Sequence, residues 1–301
     1  MVLRIITGII GIAIAAVLIQ IGGTPFACAA ILLAVIAWFE YCSAFSRAGI
    51  STSYIFGAIT IILILCCAWL GNFEEMLGAM TLGTILMFIS MVILGSRPTD
   101  VCVSAGGLIY LGMPFAHLIL LRFLTDERMP SESIDTVTLP DISGNLSTLI
   151  ANFDLSHIQA IFNIDMGCKL IWLLFLCTWA SDTFAYFIGT AIGSHKVAPS
   201  ISPNKTVEGI FGSFLGTVLT AVVFGHFLFG FELMQMMILG VIMAIAATLG
   251  DLAESMIKRF AGVKDSGFLI PGHGGVLDRF DSLLFTAPIF YYFAVITGLT
   301  S

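Results

Sequence analysis

Nine long apolar stretches, separated by mostly short polar segments, constrain the fold of this chain more than any other feature. A membrane-crossing helix needs about 20 consecutive residues with few charges. Only 10% of the 301 residues are charged, whereas a typical soluble domain has about 25%. The sequence therefore predicts an all-α polytopic integral membrane protein with about nine transmembrane helices, at 3–21, 26–45, 53–71, 76–95, 101–121, 167–190, 207–229, 233–250 and 282–299.

The distribution of Lys and Arg predicts the orientation of these helices. Basic residues of membrane proteins concentrate on the cytoplasmic side. With a cytoplasmic amino terminus, only Arg122, Arg128 and Lys169 of the 12 basic residues fall outside. We therefore expect the amino terminus in the cytoplasm and the carboxyl terminus outside. The first apolar stretch is too long for a signal peptide and lacks a clean cleavage site, and the location expected is the bacterial cytoplasmic (inner) membrane.

The polar residues divide the chain into three regions. Residues 1–121 form the amino-terminal transmembrane helices, in which Glu40 and Asp100 stand at span ends and are expected at the membrane interface. Residues 122–166 form an external polar connection. Residues 167–301 carry the chemistry, on transmembrane helices whose site is expected to face the cytoplasm.

The segment 250–281 combines a charged helix face with a glycine-rich loop. If the eighth span continues past Gly250, helical spacing puts Asp251, Glu254 and Lys258 on one face, together with Ser255 and Arg259. The glycines and the proline between 262 and 275 exclude a regular helix. Asp278 and Asp281 follow, three residues apart and hence on one helix face.

Three carboxylates at a membrane-embedded helix end point to a cation site. Asp251, Asp278 and Asp281 can converge if the eighth and ninth helices are antiparallel neighbours. Their repulsion then requires a cation, and Mg²⁺ takes a few carboxylates with substrate phosphates. A second metal or a monovalent cation could join it. The nearby cations suit phosphate oxygens, so the pattern favours phosphoryl or nucleotidyl transfer. The alternative is a set of ion pairs at the membrane surface.

Two shorter motifs add candidate residues. In SPNKTVEG (202–209), Ser202 or Asn204 is expected to cap the seventh helix, with Glu208 in its first turn. Such a helix start attracts anions, and Lys205 adds positive charge. Asp182, in the sixth apolar stretch, needs a partner, which could be Lys205 or the metal region.

Residues 255–281 resemble the signature of the phosphatidate cytidylyltransferase (CDP-diacylglycerol synthase) family. The matching positions read S-x-I-K-R, then K-D-x-G and I-P-x-H-G-G-V-x-D-R-F-D, without a departure. Residues 181–189 and 202–209 also look like the family, except that Val207 stands where Trp is common.

The resemblance implies a reaction and a set of site residues. CTP and phosphatidic acid would give CDP-diacylglycerol and pyrophosphate with Mg²⁺, in a homodimer surrounded by membrane lipid, and no nucleic-acid partner is expected. The metal ligands of the family fall on Asp251, Asp278 and Asp281, which with Lys258 are the expected catalytic residues. Expected substrate-binding residues are Asp182, Ser202, Lys205, Glu208, Lys258, Arg259, Lys264, Asp265, His273 and Arg279.

Two other functions remain open at the level of sequence. In a transporter, Asp182 and the acids of the last two helices would form an ion pathway, although transporters more often show broken helices in two halves. The second alternative is a different lipid nucleotidyltransferase or lipid kinase of similar shape.

The sequence also suggests how the transfer would proceed. The phosphomonoester of phosphatidic acid is already largely ionised near neutral pH, so we expect direct in-line transfer without a general base. His273 is then expected to shape the loop or to contact phosphate.

Overall fold

The computed structural model describes residues 2–124, 165–267 and 274–299, and these are almost entirely helical. The predicted connection 122–166 lies mostly outside the described residues, as does His273. Along the chain the elements are α1 (Val2–Ile21), α2 (Gly23–Arg47), α3 (Tyr54–Trp69), α4 (Phe73–Leu94), α5 (Pro98–Arg122), α6 (Met166–Ile192), β1 (Lys196–Ala198), β2 (Ser202–Thr206), α7 (Val207–Leu228), α8 (Leu233–Phe260), α9 (Leu277–Phe280) and α10 (Leu283–Thr297).

Apolar helices occupy all nine predicted positions. Six of them are long and apolar enough to cross a membrane, namely α2, α4, α5, α6, α7 and α8. Three are shorter apolar helices, Thr7–Ile21, Tyr54–Trp69 and Leu283–Thr297. A polytopic helical membrane protein is therefore supported, while the count of nine spans and the orientation of the termini stay predictions.

Small residues let the helices approach closely. Ala27, Ala30, Ala34 and Ala37 recur on one face of α2 and are almost completely buried. Such close approach suits helices in lipid, where packing rather than water exclusion drives association. Glycines of α7 serve the same purpose against α6, since a Cβ at Gly212 would lie 2.7 Å from the Phe184 carbonyl oxygen. The sides of many helices meanwhile expose large apolar residues.

Polar contacts mark the two ends of the bundle. At one end the buried Arg122 donates from Nε to the Ile19 carbonyl (3.1 Å) and from Nη1 to Asp165 Oδ1 (2.8 Å). The pair of Arg122 and Asp165 joins the described residues on either side of positions 125–164. The carboxyl ends of α2, α6 and α8 and the start of α7 and α10 lie at the opposite end. Every predicted site residue with a described position belongs to that second end.

The structure departs from the sequence expectations at two places. The segment 191–206, which separates the sixth and seventh predicted spans, contains an antiparallel hairpin, β1–β2, with Ala198 opposite Ser202. The side chain that caps α7 is Thr206, whose Oγ1 accepts from Gly209 N (3.1 Å), so the expectation of Ser202 or Asn204 was wrong. Glu40 and Asp100 are only 9% and 4% exposed, so both are buried within the protein, and their expected position at the membrane interface stays a prediction.

Candidate functional site

A cavity of about 550 Å³ lies where the hairpin meets α6, α7 and α8. The hairpin covers the start of α7 and carries Ser202 and Lys205 into the cavity wall. Asp182 from α6 and Asp251 from α8 line the same space. The structure thus brings together four of the predicted site residues from three separate parts of the sequence.

Lys205 joins the hairpin to α8 at the edge of the cavity. Its Nζ lies 2.8 Å from Asp251 Oδ2 and donates to the Thr248 carbonyl at 3.1 Å. Ser255, one turn further along α8, donates from Oγ to Asp251 Oδ1 at 3.3 Å. The Lys205 and Asp251 side chains are 20% and 34% exposed, so both can reach a ligand in the cavity.

Lys258 bridges two acids deeper in the protein. Its Nζ lies 2.5 Å from Glu254 Oε2, within the same helix, and 2.8 Å from Asp278 Oδ1 of α9. The Glu254 side chain is completely buried and the Lys258 side chain is 17% exposed. An ammonium between two buried carboxylates offsets their repulsion and fixes α9 against α8. The predicted continuation of α8 past Gly250 is confirmed, and it is this continuation that presents Lys258.

Asp278 is saturated with protein donors. Its Oδ2 accepts from Ser266 N, Ser266 Oγ and Gly275 N, each at 2.8 Å, while Oδ1 faces Lys258. Burial acts to raise the pKa of Asp278, but the hydrogen bonds from Lys258, Gly275 and Ser266 outweigh it and lower the pKa to about 2. Asp278 therefore remains ionised and holds the two described sides of the glycine-rich loop together.

Asp281 lies in a more repulsive environment. Burial, and then the negative charge of Asp251, raise its pKa to about 6, although Oδ1 accepts from Ser282 N at 2.6 Å. Asp182 interacts electrostatically with Asp281 and Asp251, and also with Lys205 and Arg279. Both partners considered for Asp182 from the sequence are thus within electrostatic range of it.

The described residues fit a cation only in part. No group of three or more His, Cys, Asp or Glu side chains among them is arranged to hold a metal ion. Asp251 and Asp281 repel each other, and Mg²⁺ binds such carboxylates together with water and phosphate oxygens. A carboxylate oxygen has two lone pairs, so the single donors on the Asp251 oxygens leave room for a cation. Asp278 Oδ2 accepts three donors and has no such room, whereas its Oδ1 faces only Lys258, and its assignment as a metal ligand stays a prediction.

The other predicted substrate-binding residues fall into three groups. Glu208 pairs with the segment before the hairpin: its Oε1 lies 2.6 Å from His195 Nδ1 and accepts from Ser194 Oγ at 2.9 Å, and its role in substrate binding stays a prediction. Arg259 donates from Nε to the Ile201 carbonyl, in the turn of the hairpin, at 3.1 Å. Exposed side chains form the third group: Lys264, Asp265 and Arg279.

Two residues of the amino-terminal half also reach this region. Glu40 of α2 accepts from the backbone N–H groups of Val276 and Leu277 at 3.0 and 2.8 Å. Tyr110 lies on a π-helical turn of α5, and its buried hydroxyl finds no hydrogen-bond partner in the described part of the chain. It is within electrostatic range of Asp281 and Asp251. The only sequence signal for Glu40 was an acid at the end of an apolar span, and Tyr110 gave none.

Comparison with known proteins shows the family. The model of the family described as "Cytidylyltransferase family" matches residues 2–297. A phosphatidate cytidylyltransferase of Synechocystis is 34% identical over 295 residues, which is 97% of this chain and 96% of that protein. A Haemophilus influenzae protein of the same name is 47% identical over 132 residues, 42% of this chain and 46% of that protein. Escherichia coli YnbB, described as uncharacterized, is 35% identical over 231 residues, 70% and 78% of the two chains. The resemblance predicted from residues 255–281 is confirmed, and the chain belongs to the cytidylyltransferase family.

Proposed function

We propose that this protein is a phosphatidate cytidylyltransferase of the bacterial cytoplasmic membrane. It transfers the cytidylyl group of CTP to phosphatidic acid and releases pyrophosphate, which makes CDP-diacylglycerol for phospholipid synthesis. The observation that carries the proposal is a cavity with Lys205, Asp251 and Asp182 in its wall at one end of an apolar helix bundle. Relatives that bear this enzyme name, one of them matched along 97% of the chain, support the same substrates.

The triphosphate of CTP binds at the hairpin side of the cavity. Lys196 and Lys205 supply positive charge there, and Ser202 supplies a hydroxyl donor. Lys205 is paired with Asp251. When CTP binds, a phosphate group replaces Asp251 in part as the negative partner of the Lys205 ammonium. The lysine thus has a negative partner in both states: the carboxylate before CTP binds and the phosphate afterwards. It is never left as an unpaired charge.

Asp251 and Asp281 are the residues that would hold Mg²⁺, with Asp278 beside them. The ion, when bound, neutralises phosphate charge and polarises the phosphoryl oxygens. Lys258 pairs with Asp278 and Glu254 and so offsets the repulsion between those two carboxylates. The protein therefore contributes position and electrostatic field, as expected for a transfer between two phosphate compounds.

The chemical step needs no covalent intermediate with the protein. An ionised phosphate oxygen of phosphatidic acid attacks the α-phosphorus of CTP in line. The bond from that phosphorus to the bridging oxygen of the β-phosphate breaks, and pyrophosphate leaves with the electron pair. Because the attacking oxygen is already deprotonated near neutral pH, no side chain has to remove a proton.

The lipid substrate approaches from the side of the helix bundle. Its phosphate stays at headgroup level, and its acyl chains lie against exposed apolar residues next to the cavity, such as Tyr186 and Phe187 of α6 and Phe211 of α7. The cytoplasmic orientation rests on the excess of Lys and Arg at this end. A homodimer is proposed on the family resemblance alone.

The test is an assay of the purified protein in detergent with CTP, Mg²⁺ and phosphatidic acid. Pyrophosphate and CDP-diacylglycerol should appear in equal amounts, and neither should form without the lipid. A lipid acceptor other than phosphatidic acid that reacts faster would overturn the substrate assignment. Labelled pyrophosphate that exchanges into CTP in the absence of lipid would reveal a nucleotidyl-enzyme and exclude direct transfer.

A further inference from the structure

We infer that Glu40 is a positioning residue for the glycine-rich loop of the site, which rests on the proposed function. Glu40 lies on α2, in the part of the chain that the signature does not reach. Its Oε1 accepts from Val276 N at 3.0 Å and its Oε2 from Leu277 N at 2.8 Å. Ser266 Oγ lies 3.3 Å from the same Oε2. One carboxylate thus bonds to residues on both sides of positions 268–273.

The loop is shaped to receive this carboxylate. A Cβ on Gly267 or on Gly275 would overlap the carboxylate oxygens of Glu40. Neither glycine has a positive φ, so the close approach of Glu40, rather than backbone conformation, accounts for the absence of a side chain. Two of the glycines in the signature therefore exist to let an acid from a distant helix reach the backbone.

Short links connect Glu40 to the acids of the site. Ser266 Oγ contacts Asp278 Oδ2 at 2.8 Å as well as Glu40, and Gly275 N donates to the same Asp278 oxygen. Val276 and Leu277 begin α9, which carries Asp278 and leads directly to Asp281. By holding the first two N–H groups of this turn, Glu40 fixes where both aspartates enter the site.

Glu40 acts through the loop and not on the substrate. It is only 9% exposed and is not part of the cavity wall. Loss of its charge should therefore slow the chemical step while CTP still binds at the hairpin. A residue that contacts CTP would instead change KM.

The test compares Glu40→Gln with Asp100→Asn. Asp100 is a matched control, since it is a carboxylate 4% exposed at the same end of the bundle, and it accepts from Ser51 N and Arg97 N instead of the loop. Glutamine keeps the shape of Glu40 but turns an NH₂ group toward one of the loop donors. We expect Glu40→Gln to lower kcat at least 30-fold while the KM for CTP stays within threefold. Glu40→Asp, which keeps the charge, should have a kcat between those of Glu40→Gln and the unmodified protein. Asp100→Asn should keep kcat within threefold.

A second measurement does not depend on activity. Hydrogen–deuterium exchange should speed up at least tenfold at the Val276 and Leu277 amides in Glu40→Gln, and stay unchanged there in Asp100→Asn. If the unmodified protein lacks the proposed activity, this exchange still decides the role of Glu40. The inference is overturned if exchange at those amides is unchanged, if kcat of a folded Glu40→Gln stays within twofold, or if Asp100→Asn loses kcat equally.

Discussion

Replacement of Lys258 by methionine tests the electrostatic balance at the centre of the site. Methionine keeps much of the apolar stem but removes the ammonium that lies 2.5 Å from Glu254 and 2.8 Å from Asp278. Asp278 retains three other hydrogen-bond donors, two from Ser266 and one from Gly275. Most of the cost therefore falls on Glu254, whose side chain is completely buried.

The size of the effect has an upper bound. Removal of one partner from a buried ion pair typically costs about 3–5 kcal/mol. Glu254 can avoid a bare buried charge by taking up a proton. For a glutamic acid of ordinary pKa near 4.3, neutrality at pH 7 costs about 3.7 kcal/mol, from about 2.7 pH units at about 1.36 kcal/mol each. Because burial works against the charged form of Glu254 even beside Lys258, part of this cost is already present in the unmodified protein. We therefore expect Lys258→Met to lower the free energy of unfolding by about 1–3 kcal/mol at pH 7, and by less at pH 5, where protonation is easier.

Chemical denaturation in mild detergent, followed by the fluorescence of the four tryptophans, measures this change. Arg259→Met is the control, because Arg259 is the adjacent cation but is exposed and pairs with no described acid. The double variant Lys258→Met/Glu254→Gln should recover at least half of the loss, since it buries no charge at position 254. The reasoning is refuted if Lys258→Met lies within about 0.5 kcal/mol of the unmodified protein, the range of ordinary surface changes, or if the double variant is no more stable than the single.

Three further changes probe other parts of the site. Lys205→Met should raise the KM for CTP at least tenfold and change the free energy of unfolding by less than about 1 kcal/mol, because the pair with Asp251 is partly exposed; an unchanged KM in steady-state kinetics would contradict the role in CTP binding. Asp281→Asn should lower kcat at least 100-fold even at saturating Mg²⁺, and chelation of divalent ions should abolish the activity of the unmodified protein; near-normal turnover in either case would remove Asp281 from the metal site. Glu208→Gln should raise the KM for CTP several-fold by loosening the contact with His195 that holds the hairpin; a KM identical to that of the unmodified protein would make this contact irrelevant to CTP.

Local patterns in the sequence predicted the helices and the polar face of α8. Hydrophobicity over about 20 residues marks a span, and helical periodicity places Asp251, Glu254 and Lys258 on one side, because both properties depend only on neighbours in the chain. The pairing of Lys258 with Glu254 follows from their i, i+4 spacing. These features could be predicted without knowledge of the tertiary contacts, and the structure confirms them.

Contacts between distant residues could not be predicted in the same way. Glu40 and Leu277 are 237 positions apart, and an acid at the end of an apolar stretch does not reveal what it binds. The hairpin consists of strands of three and five residues. The first is too short for an alternating pattern to be recognised, and the second, SPNKT, does not alternate between apolar and polar residues. The saturation of Asp278 by four donors likewise depends on how the loop folds back, so the sequence predicted an acid there but not its environment.

The contact between α2 and the start of α9 has a consequence for synthesis of the protein. The amino-terminal part of a chain is made first, at about 5–20 residues per second. The ribosome adds 236 residues after Glu40 before Val276 exists, which takes roughly 10–50 s. Throughout that time α2 carries an acid whose eventual backbone donors have not been made. The contact between Glu40 and the loop therefore forms only after Leu277 has been made, and a chain that stops before that residue lacks both backbone donors of Glu40.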